Sequence, residues 1–282
     1  MTELKEAIRR ITDGDYSVRL DGTSPLSDDF NAMASKLEAE RRSQLELISN
    51  TAHDLKSPMT AAAGFIDGIL DGTVPEEKWA YCLGIVSLEI KRMSRLASTM
   101  SELSKIESGA RKFNFSAFDV AESARTVLIS LEQRINEKKL DVEFITESDK
   151  AYASADPDAI HEVIYNIVDN AIKFSKECGL LSVSIKDGGE KLLISIYNEG
   201  EGIPPEDVAH VFDRFFRTEK SRDNDKTGSG LGMHIAKTVI DAHGESIYAE
   251  SEYGQNCRFC FTLSKAYPRK EAFADAKAMV DQ

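Results

Sequence analysis

A histidine and an aspartate stand side by side in the stretch ISNTAHDLKSPMT, residues 48–60. A neutral imidazole is a nucleophile, and a carboxylate that accepts a hydrogen bond from one ring nitrogen leaves the other nitrogen free to react. Asp54 can serve His53 in this way. Pro58 has no N–H to donate to the carbonyl of Asp54, and its ring crowds that carbonyl, so we expect a kink there. The stretch predicts a reactive histidine on a distorted helix.

A second group of polar residues lies in EVIYNIVDNAIKFS, residues 162–175. On a helix, Glu162, Asn166 and Asn170 share one face, and Lys173 follows one turn later. Asparagine is a poor interior helix residue, whereas a solvated face would favour Glu, Lys and Arg. Two amides and a lysine offer oxygen ligands for a hard cation and a positive charge for phosphate. The face is therefore either a cation and phosphate site or merely solvated.

Two glycine clusters lie further along the chain. The first follows the strand-like run LLISIY and the second directly precedes a helical pattern; their members are Asn198, Gly200 and Gly202, then Gly228, Gly230 and Gly232. Backbone amides in such a loop, together with the helix N-terminus behind it, form an anion site, although a simple turn and cap has the same composition. The polar segment between the clusters, RTEKSRDNDKTG, is typical of a mobile lid.

The elements that hold the His-Asp pair form a heptad-like pattern. Steps of three and four residues place one apolar stripe on the first helix, made of Leu45, Ile48, Ala52, Leu55, Met59, Ala62, Ile66 and Ile69. A second helix begins at Pro75 after the turn signal DGT and carries its own apolar face. Since such a hairpin buries too little alone, we predict that two copies form a four-helix bundle. His53 follows Ala52, so it lies off the seam and toward solvent.

From about residue 113 strand-like and helical runs alternate. The predicted strands are KFNFSAF, DVEFIT, LLSVSIKD, KLLISIYN and CRFCFTL, and the predicted helices are SARTVLISLEQRINEKK, PDAIHEVIYNIVDNAIKFS and GMHIAKTVIDAH. This mixture predicts an α+β domain built as an α/β sandwich. Cys257 and Cys260 could form a metal or redox pair, but no second pair follows at ligand spacing, and a buried strand is favoured.

The overall composition excludes some classes of function. The chain has 282 residues and a net charge of −13, which argues against binding a nucleic-acid backbone. It contains no run of about 18 apolar residues, so we expect no membrane span. His161, His210, His234 and His243 have no partners at ligand spacing, and we expect structural or surface roles for them.

Four motifs in order resemble the ATP-binding domain of sensor histidine kinases, within the gyrase, Hsp90, histidine kinase and MutL group of ATPases. They are N-x-x-x-N, x-x-G-x-G-I-P, F-x-R-F and G-x-G-L-G, within residues 113–265. The resemblance implies ATP and Mg²⁺ as cofactors, with Asn170 as the main Mg²⁺ ligand. The other implied contacts are Asn166, Lys173 and Arg214 near the phosphates, Gly200 and Gly202 at the adenine pocket, and Gly228, Gly230 and Gly232 on the phosphate side.

The sequence departs from the family pattern in two of its motifs. Asn198 replaces an aspartate that accepts a hydrogen bond from the adenine amino group; its carbonyl can still accept one bond, without charge. Ala159 and Glu162 replace the usual Arg and Gln. The first departure favours an alternative function, a catalytically weak signalling adaptor that dimerises and binds a regulator. A gyrase- or chaperone-like machine is disfavoured because such proteins need no acceptor histidine.

The stretch AHDLKSP resembles the phospho-acceptor box of the same family. The resemblance implies that His53 attacks the γ-phosphate of ATP, that Asp54 assists as base, and that an aspartate on a separate response regulator receives the phosphoryl group. Ser57 stands where the family has Thr or Asn to position water for dephosphorylation, so phosphatase activity stays open.

The first 44 residues resemble a partial HAMP signalling module. We therefore expect four parts: 1–44 HAMP-like, 45–109 the dimerisation and phosphotransfer hairpin, 110–265 the ATP-binding domain, and 266–282 a tail. HAMP modules generally follow a transmembrane segment. We expect the chain to be either the cytoplasmic end of a longer receptor anchored in the cell membrane or an unusually soluble protein.

Overall fold

The computed structural model describes residues 2–22, 24–147, 151–218 and 230–266. The chain divides into two compact units, Met1–Met93 and Ser94–Gln282. Each unit is described by itself. Within the described ranges, no helix is both long and apolar enough to cross a membrane.

The first unit begins with a small core of its own. Helix α1 (Thr2–Thr12) and the first turns of helix α2 (Pro25–Leu70) enclose a cluster of buried side chains, namely Ala7, Val18, Phe30 and Ala34. Asn31 fixes the connector between the helices, because its Oδ1 accepts from the Leu20 N–H at 2.8 Å and its Nδ2 donates to the Leu20 carbonyl at 3.0 Å.

Helix α2 runs without interruption through the acceptor box. Ser24 caps it, since its side chain accepts from the Ser27 N–H, and Pro25 occupies the first turn, where no N–H is needed. Pro58 lies inside the helix. The helix ends at Leu70 and a tight turn follows, closed by the Val74 N–H, which donates to the Gly68 carbonyl at 2.7 Å. A short 3₁₀ helix (Glu76–Lys78) then leads into helix α3 (Trp79–Glu107), which completes the predicted hairpin.

The predicted apolar stripe of α2 is largely open to solvent. Leu45, Ile48 and Met59 are 53%, 65% and 57% exposed, although Ala62 is buried. Three residues of the stripe line a shallow groove of about 350 Å³, whose walls are Ala52, Leu55, Lys56, Met59, Thr60 and Ala63. The described part of the chain therefore leaves most of this stripe uncovered.

The second unit is built on a five-stranded sheet in the order β2-β4-β5-β7-β6. Strands β2 and β4 are parallel and all other neighbours are antiparallel. The strands are β2 (Asp141–Thr146), β4 (Leu180–Asp187), β5 (Lys191–Glu199), β6 (Ile247–Glu252) and β7 (Asn256–Ser264). A separate antiparallel pair joins β1 (Ser116–Asp119) to β3 (Tyr152–Ala155).

Helices α4 (Val120–Ser130), α5 (Glu132–Glu137), α6 (Pro157–Phe174) and α7 (Gly232–Ala242) belong to this unit. Alternate residues of the strands present an apolar face, as in Leu192, Ile194 and Ile196 of β5, all 4% exposed or less. The apolar side of α6 is fully buried, and this helix is in contact with α4, α7 and β5. The two layers form the predicted α/β sandwich.

Three predictions of local structure were wrong. Strands β3 and β6 were missed, because both are short and carry small or polar residues. The helix predicted over residues 123–139 is two helices, which begin at Val120 and Glu132 and meet at Leu131. The strand predicted from residue 112 begins only at Ser116. The strand containing Cys257 and Cys260 was predicted correctly as buried.

Candidate functional site

The acceptor segment of α2 exposes its histidine. The side chain of His53 is 84% exposed, as the heptad phase predicted, and its Nδ1 lies 3.6 Å from Oδ1 of Asp54. That distance is too long for a hydrogen bond, but a small rotation of either side chain would close it. Ser57 is exposed one turn further along the helix. His53 is therefore accessible to another molecule, with a carboxylate beside one ring nitrogen.

Helix α6 is fixed at its start by Asp156. The Asp156 carboxylate accepts from the N–H of Ala159 at 3.0 Å and of Asn114 at 2.8 Å. Burial opposes ionisation of this group, yet the two N–H donors outweigh it and hold the pKa of Asp156 below its ordinary value. This cap fixes where α6 begins, and therefore which way the polar face of its next three turns is directed.

The polar face of α6 is divided between two environments. Glu162 pairs with Arg111 at 3.6 Å, and burial raises the pKa of Glu162 in spite of that positive neighbour. Asn166, one turn later, is close to the start of α7, because a Cβ at Gly232 would lie 3.3 Å from Asn166 Oδ1. Asn170 is half-buried beyond it. In the structure Glu162 is thus part of an ion pair, whereas Asn166 lies against the glycine loop.

Asn166 has an unsatisfied donor. Its Nδ2 is buried without a hydrogen-bond partner in the part of the chain that the structure describes. A buried donor without a partner is rare and costs free energy, so it marks a place where a ligand atom can bind. The position beside Gly232, at the N-terminus of an 11-residue helix, suits an anionic group.

The end of α6 meets the first glycine cluster. Gly200 and Ser175 form an isolated β-bridge, and a Cβ at Gly200 would overlap the carbonyl oxygen of Phe174, so only glycine fits there. Lys138 donates to the Lys173 carbonyl at 2.6 Å and closes the C-terminal end of the helix. The Nζ of Lys173 itself lies 5.1 Å from the ring centroid of Phe174.

The remaining glycines hold neighbouring loops together. Gly202 has a φ of +63°, and a Cβ on it would lie 2.5 Å from the carbonyl oxygen of Glu252. Gly230 accepts, through its carbonyl, a hydrogen bond of 3.1 Å from the N–H of Phe215. This bond joins the second glycine cluster to the F-x-R-F segment. Gly228 and most of the predicted lid lie outside the described residues.

Arg214 of the F-x-R-F segment is held by two groups that the sequence did not indicate. Its Nη2 donates to Glu107 Oε1 at 2.5 Å, and its Nε donates to His234 Nε2 at 3.1 Å. The Nδ1–H of His234 donates to the carbonyl of Phe212 at 2.9 Å. Glu107 is the last residue of α3, 107 positions before Arg214, so no local pattern could have revealed the pair.

His243 and Cys257 have surroundings that are typical of structural residues. The ring of His243 lies 4.7 Å and 4.8 Å from the rings of Phe113 and Phe115, measured between centroids. Burial raises the pKa of Cys257 to about 12, so this thiol stays protonated. Among the described residues, no group of His, Cys, Asp and Glu could hold a metal ion.

Two family models match the chain. "His Kinase A (phospho-acceptor) domain" covers residues 43–109, which include His53. "Histidine kinase-, DNA gyrase B-, and HSP90-like ATPase" covers residues 155–267, which include α6 and both glycine clusters. The exposed histidine therefore lies in the part of the chain that the first model matches. The residues with unsatisfied amides lie in the part that the second model matches.

The chain is similar to curated sensor histidine kinases. Sensor histidine kinase YclK of Bacillus subtilis is 30% identical over 274 residues, which are 93% of this chain and 58% of the relative. Sensor histidine kinase WalK of the same species is 34% identical over 245 residues, 85% of this chain and 38% of the relative. The chain therefore spans only part of the length of these relatives.

Solved structures agree with the fold. The histidine kinase ThkA in complex with response regulator protein TrrA has a TM-score of 0.64 at 27% identity, with 87% of this chain and 68% of that chain covered. Acinetobacter baumannii histidine kinase AdeS has a TM-score of 0.63 at 26% identity, with 76% of this chain and 98% of that chain covered.

Proposed function

Because the chain belongs to the sensor histidine kinase family, we propose that it transfers the γ-phosphoryl group of ATP to His53 and then to an aspartate of a response regulator. The observation that carries the proposal is the solvent-exposed His53 with the Asp54 carboxylate 3.6 Å from its Nδ1. A nucleophile that must meet a nucleotide and then a second protein has to be accessible, and His53 meets this requirement.

In this proposal each nitrogen of His53 has its own role. Asp54 stands next to Nδ1, so Nε2 is the nitrogen that attacks the γ-phosphorus. The new N–P bond forms as the bond from the γ-phosphorus to the bridging oxygen breaks, and ADP leaves. Asp54 accepts the Nδ1 proton as the ring becomes positively charged.

The nucleotide site lies between α6, the glycine clusters and the F-x-R-F segment. The buried Nδ2 of Asn166, which has no partner among the described residues, supports a ligand there. In this proposal Asn170 offers its side-chain oxygen to Mg²⁺, which when bound neutralises phosphate charge. Asn166, Lys173 and Arg214 hold the phosphates, Gly200 and Gly202 border the base, and Gly228, Gly230 and Gly232 form the phosphate loop.

The partners follow from the same family. The stripe of α2 that is exposed in one chain supports a homodimer in which two hairpins form a four-helix bundle. ThkA, to which this chain is similar, is seen in complex with a response regulator, and this supports a regulator as the acceptor of the phosphoryl group. We also propose that residues 1–44 act as a HAMP-like input module of a membrane-anchored receptor, which the small core around Phe30 supports.

Incubation with γ-labelled ATP and Mg²⁺ tests the assignment of His53. We expect acid-labile label on the wild-type chain and none on His53→Gln, since glutamine keeps the polarity but is not a nucleophile. His210→Gln is the matched control, because His210 is also exposed and lies 2.7 Å from an aspartate, Asp213. The control should be labelled like the wild type.

The same samples separate the kinase from a signalling adaptor. An adaptor would bind no Mg·ATP and would carry no label, whereas its dimer would be intact. Label that survives in His53→Gln, or that disappears in His210→Gln alone, would overturn the assignment of His53.

A further inference from the structure

Asn198 is a polar residue in an apolar row. It lies near the end of β5, in register with Leu181 of β4 and Cys257 of β7, and it is only 2% exposed. Strand alternation places it on the same face as Ile194 and Ile196, which are fully buried. Nothing in the packing of this face calls for an amide.

The amide of Asn198 lacks a partner for its donor. Its Nδ2 is buried and has no hydrogen-bond partner in the described ranges. By contrast, the buried carboxylate of Glu245 in the same unit accepts from Lys191, Thr262 and Ser264. Because natural folds leave few buried donors unsatisfied, the exception indicates that a ligand atom completes this site.

Asn198 also stands beside the place that the proposed function gives to the purine. It precedes Gly200 by two residues, at the point where the backbone of β5 meets the end of α6. The neighbouring thiol of Cys257 stays protonated, so it adds no charge. The other polar side chain in this register, the hydroxyl of Ser251 beyond Cys257, donates to the Asn256 carbonyl and is also uncharged. A base at this row therefore meets neutral groups, of which the amide of Asn198 has a donor without a partner among the described residues.

An amide and a carboxylate differ in what they can recognise. A carboxylate only accepts hydrogen bonds, so it suits the 6-amino group of adenine and repels a 6-oxo group. An amide carries a donor and an acceptor side by side. It can pair with the amino group and ring nitrogen of adenine or, after turning over, with the oxo group and N1–H of a 6-oxopurine.

We propose that Asn198 opens this site to 6-oxopurine nucleoside triphosphates, so that the kinase uses inosine or guanosine triphosphate as well as ATP. The inference rests on the proposed function and narrows its substrate class. The buried Nδ2 donates to the 6-oxo oxygen, and Oδ1 accepts from the N1–H.

Equilibrium binding of ATP, ITP and GTP to the full chain with Mg²⁺ tests this proposal. ITP isolates the change at positions 1 and 6, and GTP adds the 2-amino group. We expect ITP to bind within about tenfold of ATP, since one set of two hydrogen bonds replaces another. In Asn198→Asp the preference for ATP over ITP should increase on the order of 100-fold, because the oxo group then faces a carboxylate.

Two further variants serve as controls for this binding test. Asn136→Asp makes the same change at an exposed position of α5 and should leave the ratio of dissociation constants at the wild-type value. Asn198→Leu removes the unsatisfied donor while keeping the shape of the side chain, so it should fold even where the buried carboxylate does not. It should weaken ATP and ITP by similar factors.

The outcomes distinguish this proposal from the function on which it rests. If ATP binds and labels His53 while ITP and GTP bind more than about 100-fold more weakly, the inference is wrong and the kinase stands. If Asn198→Leu keeps the wild-type affinities for both nucleotides, Asn198 does not contact the base. If no purine triphosphate binds, the proposed function fails first and the inference fails with it.

Discussion

In the second unit Ile164 and Phe261 are completely buried, whereas in the first unit Ile48 and Met59 are 65% and 57% exposed. Both pairs belong to regular apolar patterns, one with sheet and helix periodicity and the other with heptad spacing. The sheet and its helices bury their apolar side chains within one chain. The hairpin leaves most of the apolar stripe of α2 exposed, and this supports the proposed dimer, in which a second chain covers the stripe.

The energetic consequence differs between the two regions. Each buried aliphatic side chain contributes about 1.5–3 kcal/mol relative to an exposed one. The second unit gains this within one chain, and its stability should not depend on concentration. In the proposed dimer the hairpin gains it only on association, so its stability should rise with protein concentration.

The largest effect is expected from Phe261→Ala in the second unit. Phe261 lies on β7 in register with Ile194 and Ile247. Removing its ring leaves a cavity among residues that cannot collapse into it, and we expect the free energy of unfolding of this unit to fall by about 3–5 kcal/mol. Urea unfolding, monitored together with nucleotide binding, measures the change.

Ile129→Ala is the control for that substitution. Because Ile129 is 72% exposed, its replacement should change the free energy of unfolding by less than about 0.5 kcal/mol. Sedimentation should show that the Phe261→Ala chain still dimerises. A loss of the dimer with Phe261→Ala would mean that the two regions are not energetically separate.

The next effect is expected from Ile48→Asp on the stripe of α2. In a dimer this change removes apolar burial and places a carboxylate at the seam in both copies, so the dissociation constant should rise by more than about 100-fold. In an isolated chain Ile48 is 65% exposed, and the change should cost little. Light scattering over a range of concentrations measures the dissociation constant.

Asn50→Asp introduces the same charge two residues away and off the stripe, and it should leave the dissociation constant within about threefold of the wild type. Equal dissociation constants for the Ile48→Asp chain and the wild type would contradict the heptad interpretation. The exposed stripe would then need a different partner.

The sequence predicted best the elements whose pattern and end signals agree. Helix α6 was predicted over residues 157–175 and is found at Pro157–Phe174, because Asp156 caps it, Pro157 opens it and its apolar period is regular. Strand β6 was missed because IYAESE alternates weakly and only one edge of it is paired. The break at Leu131 is not signalled by any residue in LISLEQ.

The candidate site was predictable in its residue types but not in its contacts. The sequence identified Asn166 and Asn198 as unusual, yet their unsatisfied amides depend on strand register and on the approach of α7. Glu107 was missed because its partner Arg214 is distant along the chain. Such contacts are set by tertiary packing, which local periodicity does not encode.

The smallest effect is expected from Glu107→Gln at the end of α3. Glu107 and its partner Arg214 both lie in the second unit. Glutamine keeps the length of the side chain and removes its charge. If Arg214 binds phosphate, loss of the competing carboxylate should tighten ATP binding by about 3–10-fold, which corresponds to about 0.7–1.4 kcal/mol.

Glu137→Gln is the matched control, because Glu137 is exposed and accepts only from Gln133 among the described side chains. The dissociation constant of the Glu137→Gln chain for ATP should equal that of the wild type. Arg214 keeps its bond to His234 in Glu107→Gln, so the gain comes from charge and not from a freed side chain. If ATP binding instead weakens, the Glu107 pair positions Arg214 for phosphate, and the end of α3 is part of the nucleotide site.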